Sequence, residues 1–283
     1  MKRRDSGSIL LLALVTVAMA SLLAVGASAV LRAAISEVGH RRKAAADRLA
    51  AIECMEAFAK DVLAIDTNGI DHVGEKWRRA YPEDAENGAP VLAPEFPETD
   101  AAPCIDEESR IPLNADCEKA LAQLIAARTG RPKAVAEAMA AEIASLRPFQ
   151  RREFIMRAPL LTQEDYAAIA PFVTAAPSEA VNINTASRPV LEALFSAAGE
   201  FGSGAAASLA RKILDFRSAG GHFTSLDAAA VDSAVGGINQ SEAEVLLSVS
   251  SFLCIESRHF SAAVGPVLFT YDRKAATFPR LAY

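Results

Sequence analysis

The sequence predicts an α+β protein in which a long N-terminal helix packs on a small antiparallel sheet and two all-helical blocks are inserted between them. Three observations predict this fold. An apolar run covers residues 8–31, helical periodicities recur between about residues 115 and 248, and alternation with a period of two begins near residue 249. Because the strands come last, the helices before them indicate an insertion into one α/β unit.

The apolar run is long enough to cross a membrane. It contains no charged side chain from Ser8 to Leu31, and at about 1.5 Å per residue it spans a hydrocarbon core of about 30 Å. Lys2, Arg3 and Arg4 precede it, which favours a cytoplasmic N-terminus and places the rest of the chain beyond the membrane.

Three interpretations of this N-terminus are open. A cleaved secretory signal would end at a small-x-small site, at residues 18–20 or 27–29, and a plain single-span anchor would stay uncut. The third is a prepilin leader over residues 1–7. Cleavage between Gly7 and Ser8 on the cytoplasmic face would then leave the transmembrane helix on the mature protein.

A stripe of apolar side chains at helical spacing follows, at Ile52, Met55, Ala59 and Val62. We therefore expect an amphipathic stem helix over residues 32–65. Residues 66–114 are predicted to be mostly loop, ending in a short strand through Ile111 and Leu113. The acids in this loop lack the spacing of a calcium loop, so calcium binding stays open without assignable ligands, and no other cofactor is expected.

The first helical block is predicted over residues 115–178. Pro132 suits the first turn of a helix, and Thr162 with Asp165 resembles a capping box at the start of another.

The second helical block is predicted over residues 179–248. The segment Asn182-Ile183-Asn184-Thr185-Ala186 leads into a helix with Pro189 in its first turn, and a Gly-rich turn at residues 199–204 separates it from the next helix. A further capping box is predicted from Ser241 to Glu244. Residues 249–283 then alternate as strands and complete the α/β unit with residues 66–114.

Composition argues against several classes of function. The net charge of −6 does not favour non-specific nucleic-acid binding. Catalytic and nucleotide-binding motifs of the HExxH, G-x-S-x-G and P-loop kinds are absent from the sequence, so no enzyme is predicted. The four cysteines form no CxxC pair; Cys104 and Cys117 are the best disulfide candidates, and the alternative is that all four are small buried hydrophobes.

An ordered set of segments resembles the K-type minor pseudopilins of the type II secretion system. The landmarks are the leader ending at Gly7, residues 106–114, residues 166–174, the Asn182-Ile183-Asn184-Thr185-Ala186 motif, residues 213–225 and residues 250–252. The resemblance spans nearly the whole chain, and Asn182, Asn184 and Thr185 carry its most specific motif.

The resemblance implies a structural subunit of the inner membrane with its C-terminal domain in the periplasm, SAM-like helical blocks, leader cleavage by a prepilin peptidase, and methylation. It implies partners among the I- and J-type minor pseudopilins and the major pseudopilin, and a place at the tip of the pseudopilus. Leu12 stands where most pilin-like proteins have Glu, a substitution typical of K-type members. An uncharged residue there needs no partner charge in lipid.

One departure and one alternative remain. The Asp-Trp-x-Asp segment usual in the family is absent, so its calcium sites cannot be carried over and no metal ligand is assigned. The second block also resembles the helix-hairpin-helix of competence DNA receptors, which bind phosphate through backbone N–H groups. Its few cations and the acidic Glu200 in the hairpin disfavour nucleic acid as a partner.

Overall fold

The computed structural model describes residues 5–58, 69–72, 104–198, 203–264, 267–273 and 277–282. The chain divides into two compact units, residues 1–50 and 51–283. Helix α1, Asp5–Phe58, accounts for the described part of the first unit. Within α1, Leu10–Asp47 has a mean hydropathy of 2.5 in its most apolar window and is long and apolar enough to cross a membrane. The predicted continuation of the stem to residue 65 lies outside the described residues.

A four-stranded antiparallel sheet anchors the second unit. Its strands lie in the order β1, β6, β7, β8, and they are Cys104–Asp106, His259–Val264, Val267–Asp272 and Thr277–Ala282. The register places Asp106 opposite Phe260 and Thr270 opposite Arg280. The strands predicted over residues 260–264 and 267–271 are therefore confirmed. The prediction that strands begin at residue 249 is wrong, because residues 249–252 are helical and Leu253–Cys254 pair outside this sheet. Strand β8 lies at one edge of the sheet, where Pro279 is tolerated because an edge strand can spare a backbone donor.

The first helical block is closed by a short parallel strand pair. Its elements are β2 (Ile111–Pro112), α2 (Glu118–Thr129), α3 (Lys133–Ser145), α4 (Gln163–Ile169) and β3 (Val173–Thr174). Because β2 pairs with β3, the strand predicted near Ile111 belongs to this block and not to the four-stranded sheet. Gly130 ends α2 in the left-handed conformation at φ 69°, which suits glycine. The capping box of Thr162 and Asp165 is confirmed.

The second helical block repeats this plan. Its elements are β4 (Val181–Asn182), α5 (Arg188–Ser196), α6 (Ser203–Ser218), α7 (Ala228–Val235), α8 (Gln240–Val249) and β5 (Leu253–Cys254). Again the first and last strands pair in parallel. The capping box of α8 joins Asn239 to Glu242, so the predicted Ser241–Glu244 box is wrong by two residues.

In each block, one Asn side chain holds a loop by hydrogen-bonding both backbone groups of a single residue, an arrangement that we call the amide bracket. Asn114 accepts a hydrogen bond from the backbone N–H of Phe149 at 2.7 Å and donates to the carbonyl of Phe149 at 2.9 Å. Asn184 holds the N–H and carbonyl of Phe223 at 2.7 Å and 2.9 Å. Because one amide carries both a donor and an acceptor, it can satisfy both backbone groups of one residue. One apolar core runs through both blocks and includes Phe172, Phe195 and Phe223 among its largest buried side chains.

Candidate functional site

A buried polar hub lies where the four-stranded sheet meets the two helical blocks. We define it by the buried residues Asp71, Asp106, Glu107, Glu108, Asn182, Thr185, Ser257 and His259, together with the half-buried Arg273. Its centre is the acidic tripeptide Asp106–Glu107–Glu108, which follows β1. The three carboxyl groups turn to three different parts of the fold, and buried carboxylates persist only where partners compensate their desolvation.

Asp106 joins the sheet to the second block. One of its oxygens, Oδ1, accepts from the N–H of Glu108 at 2.8 Å and caps the short 3₁₀ turn that follows. The other, Oδ2, accepts from the hydroxyl of Thr185 and from Ser257 Oγ, the latter at 2.7 Å. Burial raises the pKa of Asp106 well above its ordinary value, the nearby Glu108 adds to this, and the two hydroxyl bonds oppose it.

Glu107 joins the sheet to the first block. Its carboxylate accepts from the hydroxyls of Thr174 in β3 and Ser261 in β6. The guanidinium of Arg110 lies 3.2 Å away, and both side chains are buried. Burial alone would raise the pKa of Glu107, but the charge of Arg110 and the two hydroxyl bonds outweigh it and lower the pKa.

Glu108 holds the beginning of β6. Its Oε2 accepts from the backbone N–H of His259 at 2.9 Å, and its Oε1 lies 2.7 Å from His259 Nδ1. On the other side of the ring, Nε2 lies 3.8 Å from Asp272 Oδ2, and Asp272 is itself bound by Arg258 through two bonds of 2.7 Å.

Asp71 brings a distant segment of the chain into the hub. Its carboxylate accepts from Nη1 and Nη2 of Arg273 at 2.8 Å and 2.7 Å, and from the N–H of Ser257 at 2.6 Å. Its carbonyl accepts from Nδ2 of Asn182 at 3.2 Å. The fork geometry of the guanidinium makes this a strong, orienting pair.

The structure brings together the three motif residues that the sequence singled out. Asn182 donates to Ser257 Oγ at 2.7 Å and accepts from the N–H of Asn184 at 2.8 Å. Thr185 reaches Asp106, and Asn184 brackets Phe223. The motif therefore holds the second block against the sheet through the hydrogen bonds of Asn182 and Thr185, while Asn184 stabilises a loop within the block.

Other hub members were not anticipated as site residues. Asp71, Ser257, His259 and Arg273 lie far along the chain from their partners, by 186 residues for Ser257 and Asp71. In the sequence, Asp106 and Glu107 belong to the segment 106–114, which contributes to the family resemblance but is not predicted to be a site. The sequence signal for the hub is the run of three acids, Asp106–Glu107–Glu108, which is buried in the structure. Because buried acids need partners, such a run indicates a polar cluster.

The hydrogen bonds of the hub join the four-stranded sheet to both helical blocks. In the part of the chain that the structure describes, no group of three or more His, Cys, Asp or Glu side chains is placed to hold a metal ion. The acid-rich loop between residues 83 and 100 lies outside that part, so calcium binding stays as open as the sequence left it.

The predicted processing and assembly residues lie at the beginning of α1. Gly7 and Ser8 are in its first turns, and Leu12 is 67 % exposed on its surface. Nothing in the structure tests cleavage between Gly7 and Ser8 or the role of Leu12, and both stay predictions.

The structure describes the side chains of Cys117 and Cys254. Cys117 is a free, buried thiol just before α2, and burial raises its pKa to about 11. The side chain of Cys104 lies outside the described side chains, so the disulfide between Cys104 and Cys117 stays a prediction. Cys254, in β5, is also a free thiol, and burial raises its pKa strongly. A protonated, buried thiol behaves as a small hydrophobe.

The cations counted for a DNA-binding hairpin are mostly used within the fold. Arg188 pairs with Glu192 at 2.7 Å, and Lys212 pairs with the buried Glu242 at 2.7 Å. Arg217 is buried and donates to two backbone carbonyls. The hairpin itself, residues 199–202, lies outside the described residues. Arg188, Lys212 and Arg217 thus each contact groups within the second block, and nucleic-acid binding stays as disfavoured as the sequence left it.

Comparisons with known proteins agree with this architecture. Residues 181–250 match the family described as type II secretion system (T2SS), protein K. This stretch begins at β4 and covers the second block, including the Asn182–Thr185 motif. A comparison with curated proteins finds no match.

A solved structure shares the fold. It is the crystal structure of the GspK-GspI-GspJ complex from the enterotoxigenic Escherichia coli type 2 secretion system, one chain of which matches with a TM-score of 0.54 at 14 % sequence identity. The match covers 87 % of this chain and 98 % of that chain. At this identity the likeness concerns the fold, and it extends well beyond the segment that the family match covers.

Proposed function

We propose, from a resemblance to the type II secretion protein K family that the family match and the fold both support, that this protein is a K-type minor pseudopilin. It is a non-enzymatic structural subunit of a type II secretion system. The observation that carries the proposal is the position of residues 181–250: the segment matched to the family is the second helical block, set into a fold shared with almost the whole of a known secretion-complex chain.

The proposal assigns a place to each part of the chain. The apolar helix α1 anchors the protein in the inner membrane by a single pass, and the C-terminal domain lies in the periplasm. A helix of this length and apolarity supports the anchor, and the basic leader supports this orientation. The two helical blocks belong to the C-terminal domain, in which the polar hub holds both blocks to the sheet.

The first experiment defines the mature N-terminus. The full chain is expressed with a prepilin peptidase, and its intact mass and N-terminal sequence are measured. We expect a methylated chain beginning at Ser8, and we expect Gly7→Val to stay uncut. Gly26→Val is the matched control, because Gly26 is also in α1 with open space around it, and it should be cut like the wild type. A chain beginning near Ser21 or Val30, or an uncut wild type, would overturn the proposal.

Partners are proposed by the same reasoning. The matched chain comes from a complex with the I- and J-type proteins, and we propose that this chain assembles with its own I- and J-type pseudopilins and with the major pseudopilin. Co-expression of the full chains followed by purification through one tagged partner tests this. A chain that is membrane-inserted and correctly processed, yet never co-purifies with either minor pseudopilin, would remove the partner assignment while leaving the anchor in place.

We further propose that the protein caps the tip of the pseudopilus and primes its assembly for the export of folded proteins. At the tip, Leu12 has no subunit above it. A Leu12→Glu variant would then carry an unpaired carboxyl group near one end of the apolar run. Its cost is below the about 2.5–3.5 kcal/mol that an insertion scale gives for an acidic residue at a helix centre. We expect Leu12→Glu to impair assembly and Leu12→Met to leave it intact. If Leu12→Glu assembles as well as the wild type, a neighbour partners the carboxylate and the tip position is wrong.

A further inference from the structure

Basic side chains surround α1 just beyond its apolar run. Arg32 follows the run directly, and Arg41, Arg42 and Lys43 come about two and a half turns later. All four side chains are exposed. Consecutive residues of a helix point about 100° apart, so Arg41, Arg42 and Lys43 face three different directions around the axis. We name these three residues the cationic collar.

The collar keeps a net positive charge. Between residues 32 and 47, four Arg and Lys residues stand against two acids, Glu37 and Asp47. Glu37 forms an exposed ion pair with Arg41, whose side chain stays 78 % exposed, and exposed pairs of this kind interact weakly. No ion pair is recorded for Arg42 or Lys43 in the described part of the chain. Because the three cations face three directions, a neighbouring helix packed on one side of α1 would leave cations on the others uncovered.

The position of the collar along α1 brings it to a membrane surface. If residues 8–31 fill the hydrocarbon core, Arg32 lies at the boundary and Arg41 lies about 15 Å beyond Leu31. The headgroup layer occupies roughly 5–8 Å of that distance. Long Arg and Lys side chains extend back along a helix toward the interface, and the Debye length is about 8–10 Å at physiological salt. The collar is therefore within electrostatic range of the phosphate groups.

We propose that the cationic collar binds the anionic headgroups of phospholipids in the leaflet nearest the C-terminal domain. The proposal rests on the proposed function only in requiring that α1 spans a membrane. Orientation does not require the collar, because Lys2, Arg3 and Arg4 already favour a cytoplasmic N-terminus and cations on the translocated side oppose that orientation. A lipid contact gives these cations a favourable interaction, which contributes at most about 1 kcal/mol per basic residue near an anionic surface.

The test measures which lipids surround the full chain. The protein is reconstituted into phosphatidylcholine bilayers that carry trace spin-labelled phosphatidylglycerol or spin-labelled phosphatidylcholine, and the motionally restricted lipid fraction is measured by electron spin resonance. We expect phosphatidylglycerol to associate about threefold more strongly than phosphatidylcholine. The Arg41→Gln, Arg42→Gln, Lys43→Gln triple variant should lower this ratio to the smaller value that Arg32 and the N-terminal Lys2, Arg3 and Arg4 still support. About 1 M salt, where the Debye length is about 3 Å, should bring the ratio to about one.

A matched control removes the same amount of charge from the C-terminal domain. The Lys119→Gln, Lys133→Gln, Arg211→Gln variant changes three exposed cations and should keep the threefold preference. Equal association of the two lipids with the wild type, or a ratio that the triple variant leaves unchanged, would overturn the proposal. A complete lack of motionally restricted lipid would mean that α1 does not span the bilayer, which would overturn the proposed function as well.

Discussion

Removing the side-chain amide of Asn184 should destabilise the second helical block and lower the free energy of unfolding of the protein by a large fraction. Asn184 is fully buried and is the hydrogen-bond partner of both backbone groups of Phe223, at 2.7 Å and 2.9 Å. Phe223 is itself 2 % exposed, so water cannot replace the amide. A buried polar group left without its partner costs about 1–3 kcal/mol, and two such groups give a loss of roughly 2–6 kcal/mol for Asn184→Ala.

Asn184→Asp separates the donor from the acceptor. The carboxylate still accepts from the N–H of Phe223 but offers no donor to the carbonyl, and it places a charge in the core. We expect this variant to lose at least as much stability as Asn184→Ala at pH 7. Protonation of the new carboxyl restores a donor, so part of the loss should be recovered near pH 4.

The assay is urea unfolding of the full chain in detergent micelles, followed by far-UV circular dichroism, with hydrogen exchange to locate the effect. Asn184→Ala should speed exchange in α5 and α6, whereas Asn114→Ala should speed it in α2 and α3. Gln150→Ala, which removes an exposed amide, is the control and should unfold like the wild type. An Asn184→Ala variant within about 0.5 kcal/mol of the wild type would refute the bracket as a source of stability.

Three further predictions concern the hub and the second block. Burial raises the pKa of Asp106, so folding favours its protonated form. Its contribution to stability therefore falls as the pH rises above about 3.9, the pKa of Asp in the unfolded chain. Asp106→Asn should gain stability relative to the wild type between about pH 4 and pH 7 in urea titrations, and a difference in unfolding free energy that does not change with pH would contradict this. Lys212→Met leaves the buried Glu242 without its cation and should cost about 2–4 kcal/mol in the same assay, while Lys212→Arg should cost less. Gly221→Ala places a methyl group 2.4 Å from the ring of Phe216 and should cost about 1–3 kcal/mol, an effect that Phe216→Ala in the same chain should abolish if the ring is the obstacle.

Local patterns were sufficient for the helical blocks. The box of Thr162 and Asp165 could be predicted because a capping box is satisfied within four consecutive residues. The same rule misplaced the start of α8, because Glu242 and Glu244 both lie three residues after a capping residue. The buried Lys212–Glu242 pair favours the first alternative, and that pair joins residues 30 apart.

The hub could not be predicted from such patterns. The bond between Glu108 and His259 spans 151 residues, and that between Asp71 and Ser257 spans 186. Periodicity reports which face of an element is buried, but it carries no information on which distant polar group meets it there. A run of acids can therefore indicate that partners exist without identifying them.

The parallel strand pairs have a consequence for how the C-terminal domain can change size. Ile111 lies beside Val173, and Val181 lies beside Leu253, so the chain leaves each helical block next to the point where it entered. A residue gained or lost inside a block therefore moves neither its entrance nor its exit, and it does not disturb the register of the four-stranded sheet. The second block is in fact longer than the first between its paired strands. Each block is therefore an insertion whose two ends lie side by side. It can lengthen, shorten or diverge in sequence while the α/β unit that carries it stays the same.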